Sequence, residues 1–411
     1  MAGSRKTEMT DRDVLIIGGG PSGVAAGLEL RRQGVTRVTL LDREPTLGGA
    51  TRHCLHSPFG MREFGRVYIG AAYGRRLDRE AAAAGLDVRT GHSVVSLGEE
   101  GVVTVTSARG VETLSARRVL VTTGAREMPR AARLLPGDRP VGILTTGALQ
   151  AFVAFHGLMP FRRPLIVGSE LVTQSAVLTC LTHGARPVAV VEAGPQALVR
   201  APLGLFPGLM GIPFWRNTHI TDIRGGSRVE AVTLLRDGQP VTVACDGVLL
   251  TGSFTPESAL LLPTAQGVDP GTGGPAVDQS GRGRNPLYFA AGNVLRAVET
   301  GGWAFREGRA VGAALAADLR AGDPVAGPVI PVTHDDPVKL VMPSLLRRDS
   351  GMAAFRDFQV RFRHPASGVL SLEVDGREVW RRSGHWMPER RVLIPIPGVA
   401  LMAERVHVRF R

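Results

Sequence analysis

Gly18, Gly20 and Gly23 stand at GxGxxG spacing, and Asp42 follows Gly18 by 24 positions. These residue types in this order suit the pyrophosphate of a dinucleotide. The first glycine permits a tight turn, the second lets the backbone approach the phosphates, and the third allows close helix–strand contact. Free N–H groups at the helix start attract the anion, and Asp42 can accept hydrogen bonds from a ribose. A second, eroded version of the pattern begins at Gly168-Ser169-Glu170 and ends on Glu192. Glu170 replaces the glycine that admits the pyrophosphate and Thr173 replaces the third glycine, so bulk and like charge oppose a phosphate there. Glu192 suits an NAD ribose and opposes the 2′-phosphate of NADP. NAD(H) binding at this second turn is therefore expected to be weak or lost.

A different chemistry resides in Arg52-His53-Cys54-Leu55-His56. His53 and His56 can donate hydrogen bonds or move protons near neutral pH, and Cys54 is either a single catalytic thiol or a packed side chain. A dithiol relay is excluded by arithmetic, because Cys54, Cys180 and Cys245 are the only cysteines and lie far apart. Two histidines and one cysteine within four positions lack a fourth ligand, so no metal is expected. Arg52 or Arg62 can hold a carboxylate bidentately; a surface role is the alternative for each.

The elements that must position these residues follow from local pattern. Val14-Leu-Ile-Ile17 is a short apolar run of the kind that becomes a buried parallel strand. It feeds the glycine turn, a helix to about Gly34, and a strand at residues 37–41 that ends on Asp42. Pro164–Val167, a helix to about Gly184 and the strand Val188–Val191 repeat the layout about 150 residues on, which predicts two doubly wound dinucleotide-binding units. Arg118–Gly124 and Leu287–Gly292 are further buried strands stopping at glycines, the latter before a helix starting near Trp303. Beyond the Pro/Gly-rich stretch Ala321–Pro331 the period becomes two: Phe358, Val360, Phe362; Leu370, Leu372, Val374; Val392, Ile394, Ile396; Val406, Val408, Phe410. The expected architecture is α/β, with two Rossmann-like domains, the first discontinuous, and a small C-terminal antiparallel β domain. The expected boundaries are 1–135, 136–265, 266–325 and 326–411.

A chain of 411 residues, 44% hydrophobic, with 52 glycines, has the composition of a folded protein of two or three domains. Three scattered cysteines argue against a disulfide scaffold or a Cys-rich cluster and for a reducing cytoplasm. The polar start MAGSRKTEMTDRD does not read as a signal peptide, and no run of about 18 apolar residues predicts a membrane span. The net charge of +12 is almost all arginine. From Leu346 onward there are 13 arginines against seven acids, a basic face suited to an acidic partner. Aromatic residues at 5%, dispersed charge and the lack of a nucleic-acid module argue against nucleic-acid binding.

Val14–Asp42, Thr122-Thr-Gly-Ala-Arg126 and Ala291-Gly-Asn-Val294 together resemble the FAD-binding half of the pyridine nucleotide–disulfide oxidoreductase superfamily. The resemblance implies that Gly18, Gly20, Pro21, Ser22 and Gly23 hold the FAD pyrophosphate, Asp42 the adenosine ribose, and that Arg43 lies by the adenine. It also implies that Val94 contacts the adenine through its backbone, that Thr123 and Gly124 border the nucleotide, and that Gly292 and Asn293 reach the ribityl chain or pyrophosphate. Asn293 stands where the family commonly has Asp. Arg52 is assigned to the cofactor as well. Thr300-Gly301-Gly302-Trp303 would start a helix facing the flavin N1–C2=O edge, where its dipole stabilises the anionic reduced ring; Trp303 either packs on that ring or fills the core.

Arg52–Gly65, Thr145–Gln150 and Gly292–Trp303 further resemble the FAD subunits of heteromeric dehydrogenases, of the opine oxidase, hydrogen cyanide synthase, hydroxyproline and sarcosine types. This likeness spans about residues 12–320. Several such subunits carry a Cys-rich [2Fe–2S] domain where this chain has no cysteine; its C-terminal piece looks like the short β domain of a flavoprotein accompanying some glycerol-3-phosphate dehydrogenases. The resemblance implies an FAD-dependent oxidoreductase without dithiol catalysis, transferring electrons within a heteromeric amine, opine or hydroxy-acid dehydrogenase. Its partners would be a second FAD-containing subunit and a ferredoxin-like subunit, acting on a small-molecule substrate. The alternatives are a self-contained NAD(P)H-dependent flavin oxidoreductase and a flavin-bearing assembly subunit without chemistry of its own.

Overall fold

A computed structural model describes residues 12–322, 327–348 and 351–411. Residues 1–11 and the expected boundary at 325–326 lie outside the described residues. β1 (Val14–Ile17) is buried at all four positions, as a strand covered on both faces must be. The chain continues through α1 (Pro21–Arg32), β2 (Val38–Leu41), the short α2 (Met61–Phe64), α3 (Gly70–Ala83) and β3 (Asp87–Arg89). A meander of β4 (Ser93–Leu97), β5 (Val102–Ser107) and β6 (Gly110–Ser115) precedes β7 (Arg118–Val121). β8 (Ala125–Glu127) then leads out of this first unit.

The second unit holds β9 (Ile143–Thr145), α4 (Thr146–His156), β10 (Pro164–Val167), α5 (Leu171–Thr182), β11 (Ala189–Val191), α6 (Phe206–Leu209) and β12 (Phe214–Trp215). It ends with the meander β13 (Thr218–Arg224), β14 (Ala231–Arg236) and β15 (Gln239–Ala244), then β16 (Gly247–Leu250). Its parallel sheet has the order β12-β11-β10-β16-β9. β17 (Phe254–Pro256) pairs antiparallel with β8, so outgoing and returning chains cross side by side. β18 (Tyr288–Ala290) completes the first sheet, β18-β7-β1-β2-β3, and α7 (Gly301–Ala321) packs along α1. That packing is backbone to backbone: a β-carbon on Gly308 would lie 2.0 Å from the Ser22 carbonyl oxygen. The starts of both helices are thus held at a fixed separation.

The remaining strands, β19 (Val329–His334), β20 (Val338–Met342), β21 (Leu345–Arg347), β22 (Asp357–Phe362), β23 (Ala366–Val374), β24 (Arg377–Trp386), β25 (Val392–Pro395) and β26 (Val406–Phe410), form two sheets. Their orders are β21-β19-β26-β23-β24 and β20-β22-β25. The alternating residues of β22, β23, β25 and β26 fill the core between them, with Phe362 stacked on Trp386. β19 and β26 pair in parallel, a departure from the expected all-antiparallel arrangement. β24 escaped the sequence reading because its residues are mostly exposed and carry little alternation.

Candidate flavin site and the second dinucleotide turn

The first glycine turn is built as its spacing requires. Gly18 has φ +106°, and a β-carbon on Gly23 would lie 1.9 Å from the Gly18 carbonyl oxygen, so only glycine fits where α1 starts against the turn. No side chain caps the start of α1, where Gly20 is the N-cap and Pro21 occupies the first turn. A β-carbon on Gly20 would meet only the Gly49 Cα, at 3.9 Å, so the backbone there is open to an approaching group. The Ser22 hydroxyl is buried and has no partner. Uncapped amides, an open glycine and an orphaned hydroxyl fit a bound pyrophosphate.

Asp42 is buried. Its carboxylate accepts from the Gly19 amide at 2.6 Å and the Glu44 amide at 2.8 Å, each oxygen keeping a lone pair for a ribose. Burial raises its pKa, and the two amides oppose that. Arg43 is exposed beside Glu44, and Val94 lies half-buried on β4. Thr123 donates to the Glu257 carbonyl at 2.7 Å and Gly124 accepts from the Glu257 amide, which joins this edge of the site to the returning chain. Arg52 turns back on its own loop, donating to Glu44 and the Thr46 carbonyl and lying over Phe155.

Gly292 packs against the Ser22 β-carbon. Asn293 uses both ends of its amide on one residue, donating to the Glu299 carbonyl at 3.1 Å and accepting from the Glu299 amide at 2.8 Å. It thereby staples the loop that leads to Thr300, the N-cap of α7, whose side chain makes no cap bond. Gly301 lies against the Phe59 ring and Gly302 against the Glu63 carboxylate, which also accepts from the Tyr73 hydroxyl at 2.8 Å. Trp303 donates to Glu307, and the guanidinium carbons of Arg306 and Arg391 lie 3.8 and 3.4 Å from its ring centroid. Two guanidinium groups that near to one ring must occupy opposite faces. Neither face is left for packing on a flavin ring, so the indole serves the junction with the β domain instead.

His53, Cys54 and His56 leave the 3-10 turn Gly49–His53 between α4 and α3. Burial lowers the pKa of both histidines and pushes the Cys54 thiol up to about 12, with Glu127 adding to the last effect. At neutral pH these are a neutral thiol and neutral imidazoles. Glu127, at the end of β8, accepts from the Gly147 amide at the start of α4 at 2.7 Å. Burial raises its pKa against that bond. A β-carbon on Gly147 would lie 3.5 Å from Glu127 Oε2 and 3.7 Å from His53 Nε2, so acid, imidazole and thiol form one cluster. Glu127, Glu63 and Tyr73 were missed in the sequence. The one available signal for Glu127 was an acid directly after the Thr122-Thr-Gly-Ala-Arg126 segment.

The second turn differs. Glu170 is the N-cap of α5, and its carboxyl group folds back against Gly168 and Gly252: a β-carbon on Gly252 would lie 2.0 Å from Oε1. It accepts from the Ser253 amide at 3.3 Å. Burial, with Glu192 and Glu389 nearby, raises its pKa to about 7. Ser169 donates to Glu192, which also accepts from the Gly194 amide at 2.9 Å, while the Ser169 hydroxyl accepts from the Leu198 amide. Glu192 thus accepts one protein hydrogen bond on each oxygen, as Asp42 does, and the difference between the turns is the Glu170 carboxyl group lying where a pyrophosphate would be held.

The chain is similar to an opine oxidase subunit of Agrobacterium tumefaciens (strain Ach5), 32% identical over 222 residues, covering 51% of this chain and 42% of that protein. It is also similar to hydrogen cyanide synthase subunit HcnB of Pseudomonas aeruginosa, 29% identical over 244 residues, covering 54% and 50%. The chain spans about half the length of the curated relatives it matches. In fold it is similar to the thioredoxin reductase of T. acidophilum, with TM-score 0.62 and 21% identity, over 75% of this chain and 98% of that one. No helix among the described residues is long and apolar enough to cross a membrane. The pyridine nucleotide-disulphide oxidoreductase family matches residues 12–308, more than two thirds of the chain, which therefore belongs to that family of FAD-dependent oxidoreductases.

Proposed function

We propose that the chain is the electron-transferring FAD subunit of a heteromeric amine, opine or hydroxy-acid dehydrogenase, fed by a second FAD-containing subunit rather than by NAD(P)H. The observation that carries this reading is the Glu170 carboxyl group folded into the second turn. Its bulk fills the turn where a nicotinamide donor would place its pyrophosphate, and the ionised fraction of a carboxyl group titrating at about 7 adds like charge. The neutral, half-buried Cys54 thiol supports a route without dithiol chemistry. Bound FAD supplies the electron transfer. The chain's own residues would hold its pyrophosphate at Gly18–Gly23 and the start of α1 and turn the start of α7 toward the flavin, with neutral His53 and His56 as the groups that move protons. Any iron–sulfur centre belongs to a ferredoxin-like partner, since the chain has too few cysteines for one.

The test uses the purified chain with and without its co-expressed partner. The chain alone should be yellow, unbleached by millimolar NADH, and unable to pass electrons from amines, opines or hydroxy acids to a dye. Adding the partner should restore transfer. Full substrate turnover by the chain alone, or rapid bleaching by NADH, sinks the proposal; photoreduced protein that passes electrons to no acceptor would favour an assembly subunit.

A further inference from the structure

β22 is buried on both faces. Phe358, Val360 and Phe362 point into the β-domain core, while Gln359 and Arg361, on the alternate side, are also buried. Those two reach the loop between Gly292 and Trp303. Arg361 donates to the Ala297 carbonyl at 2.9 Å, the Val298 carbonyl at 2.8 Å and the Glu299 carboxylate at 2.6 Å, and its remaining contact is Glu389 at 3.1 Å. Arg391 donates to the other Glu299 oxygen and covers Trp303. Gln359 accepts from Arg296 and donates to Glu307 at 3.0 Å; Arg296 in turn donates to the Gly292 carbonyl at 3.2 Å. Arg296 is fully buried, Glu307 nearly so, and every charge in the group is paired.

We infer that the C-terminal β domain is a clamp on the flavin-facing loop: Arg361 and Arg391 are positioning residues that hold Gly292–Gly302 and the start of α7 in the geometry that retains FAD. This rests on the reading that the loop borders the flavin. A loop has few bonds of its own to fix its carbonyls, and here two of them, with the Glu299 side chain, are fixed by one guanidinium whose planar fork is itself held by a sandwich strand. Exposed arginines of the domain, such as Arg381 and Arg382 on β24, take no part.

The test measures FAD affinity of the deflavinated full chain by fluorescence titration, together with its melting temperature. Arg391→Ala, at a partly exposed side chain, and Arg361→Met are compared with Arg347→Met. Arg347 is an equally buried junction arginine bonded to the Gly283 and Arg284 carbonyls, away from the loop. FAD binding should weaken about 10- to 100-fold in the first two, the size expected for losing charge-assisted bonds that hold a binding loop. Arg391→Lys should recover part of it, and Arg347→Met should lower the melting temperature with FAD affinity unchanged. Wild-type affinity in Arg391→Ala, or equal weakening by Arg347→Met, overturns the clamp; should Arg361→Met fail to fold, Arg391→Ala decides. A wild-type chain that does not bind FAD refutes the site itself, a separate outcome.

Discussion

Replacing Glu170 with glutamine probes the second turn through stability rather than activity. The Glu170 carboxyl group titrates at about 7 in the folded chain against an ordinary value of 4.5, because burial and two neighbouring carboxylates disfavour its charge. The folded state therefore keeps this proton through a range in which the unfolded state has lost it. Below 4.5 both states are protonated and nothing is lost; as pH rises toward 7 the folded state falls behind, by about 3 kcal/mol at about 1.4 kcal/mol per pH step. Glutamine has the same shape and no proton to release. Urea denaturation of both proteins at pH 5 and pH 8 should show the Glu170→Gln advantage growing by about 2–3 kcal/mol between the two. Asp278, raised to about 6 by burial, titrates in both proteins and cancels in the difference. Parallel stability curves would refute the reasoning, since they would mean that the carboxyl group is hydrated and that the turn is open.

Glu170→Gly removes bulk and charge together. A carboxyl group that titrates at about 7 can take up a proton near neutral pH at little cost, so its bulk in the turn is the larger obstacle. Relieving overpacking of about 1–3 kcal/mol is worth about 5- to 150-fold in affinity, so NADH should now bleach the flavin in stopped flow where it fails with the wild type, and continued indifference would shift the block to the Ser169–Glu192 bond. Gly308→Ala should part α1 from α7, lowering the melting temperature and the FAD content on purification because its β-carbon would lie 2.0 Å from the Ser22 carbonyl oxygen, at a cost of about 1–3 kcal/mol; unchanged yellow protein would count against the crossing. With thiols raised to about 12 at Cys54 and Cys180 and about 11 at Cys245, the native chain at pH 8 should react with iodoacetamide about a thousandfold more slowly than free cysteine at the first two and about a hundredfold more slowly at the third; fast labelling of one thiol would reopen a catalytic role for it.

The parallel sheets are legible in the sequence because their causes are local. Val14–Ile17 and Pro164–Val167 are short apolar runs ending at glycine turns, and burial on both faces demands that pattern. Asp42 and Glu192 are legible as acids directly after a parallel strand, where the side chain lies at the carboxyl edge of the sheet. The chemistry around them is less so. Glu127 meets Gly147 across 20 residues and Glu63 meets Gly302 across more than 200, and no period in the chain links either pair. Trp303 shows the limit well: its type predicts a ring or a core, whereas Arg391, from another domain, decides its surroundings.

The arginine content divides along the same line between local pattern and distant partner. Read as composition, the C-terminal excess suggests a solvated face for an acidic partner. Part of it is internal: Arg347 and Arg361 are almost wholly buried, bonded to carbonyls and ion-paired with Asp278, Glu299 and Glu389. A buried guanidinium without partners would be strongly destabilising, so each such arginine implies a set of acceptors, most of them supplied by the flavin domain. Gln359 and Arg361 alternate with Phe358, Val360 and Phe362, so β22 carries polar residues in a strand with no exposed side. That alternation is a sequence signal for a polar junction between domains. The arginines of β24 remain exposed and are the part of the excess still available to a partner.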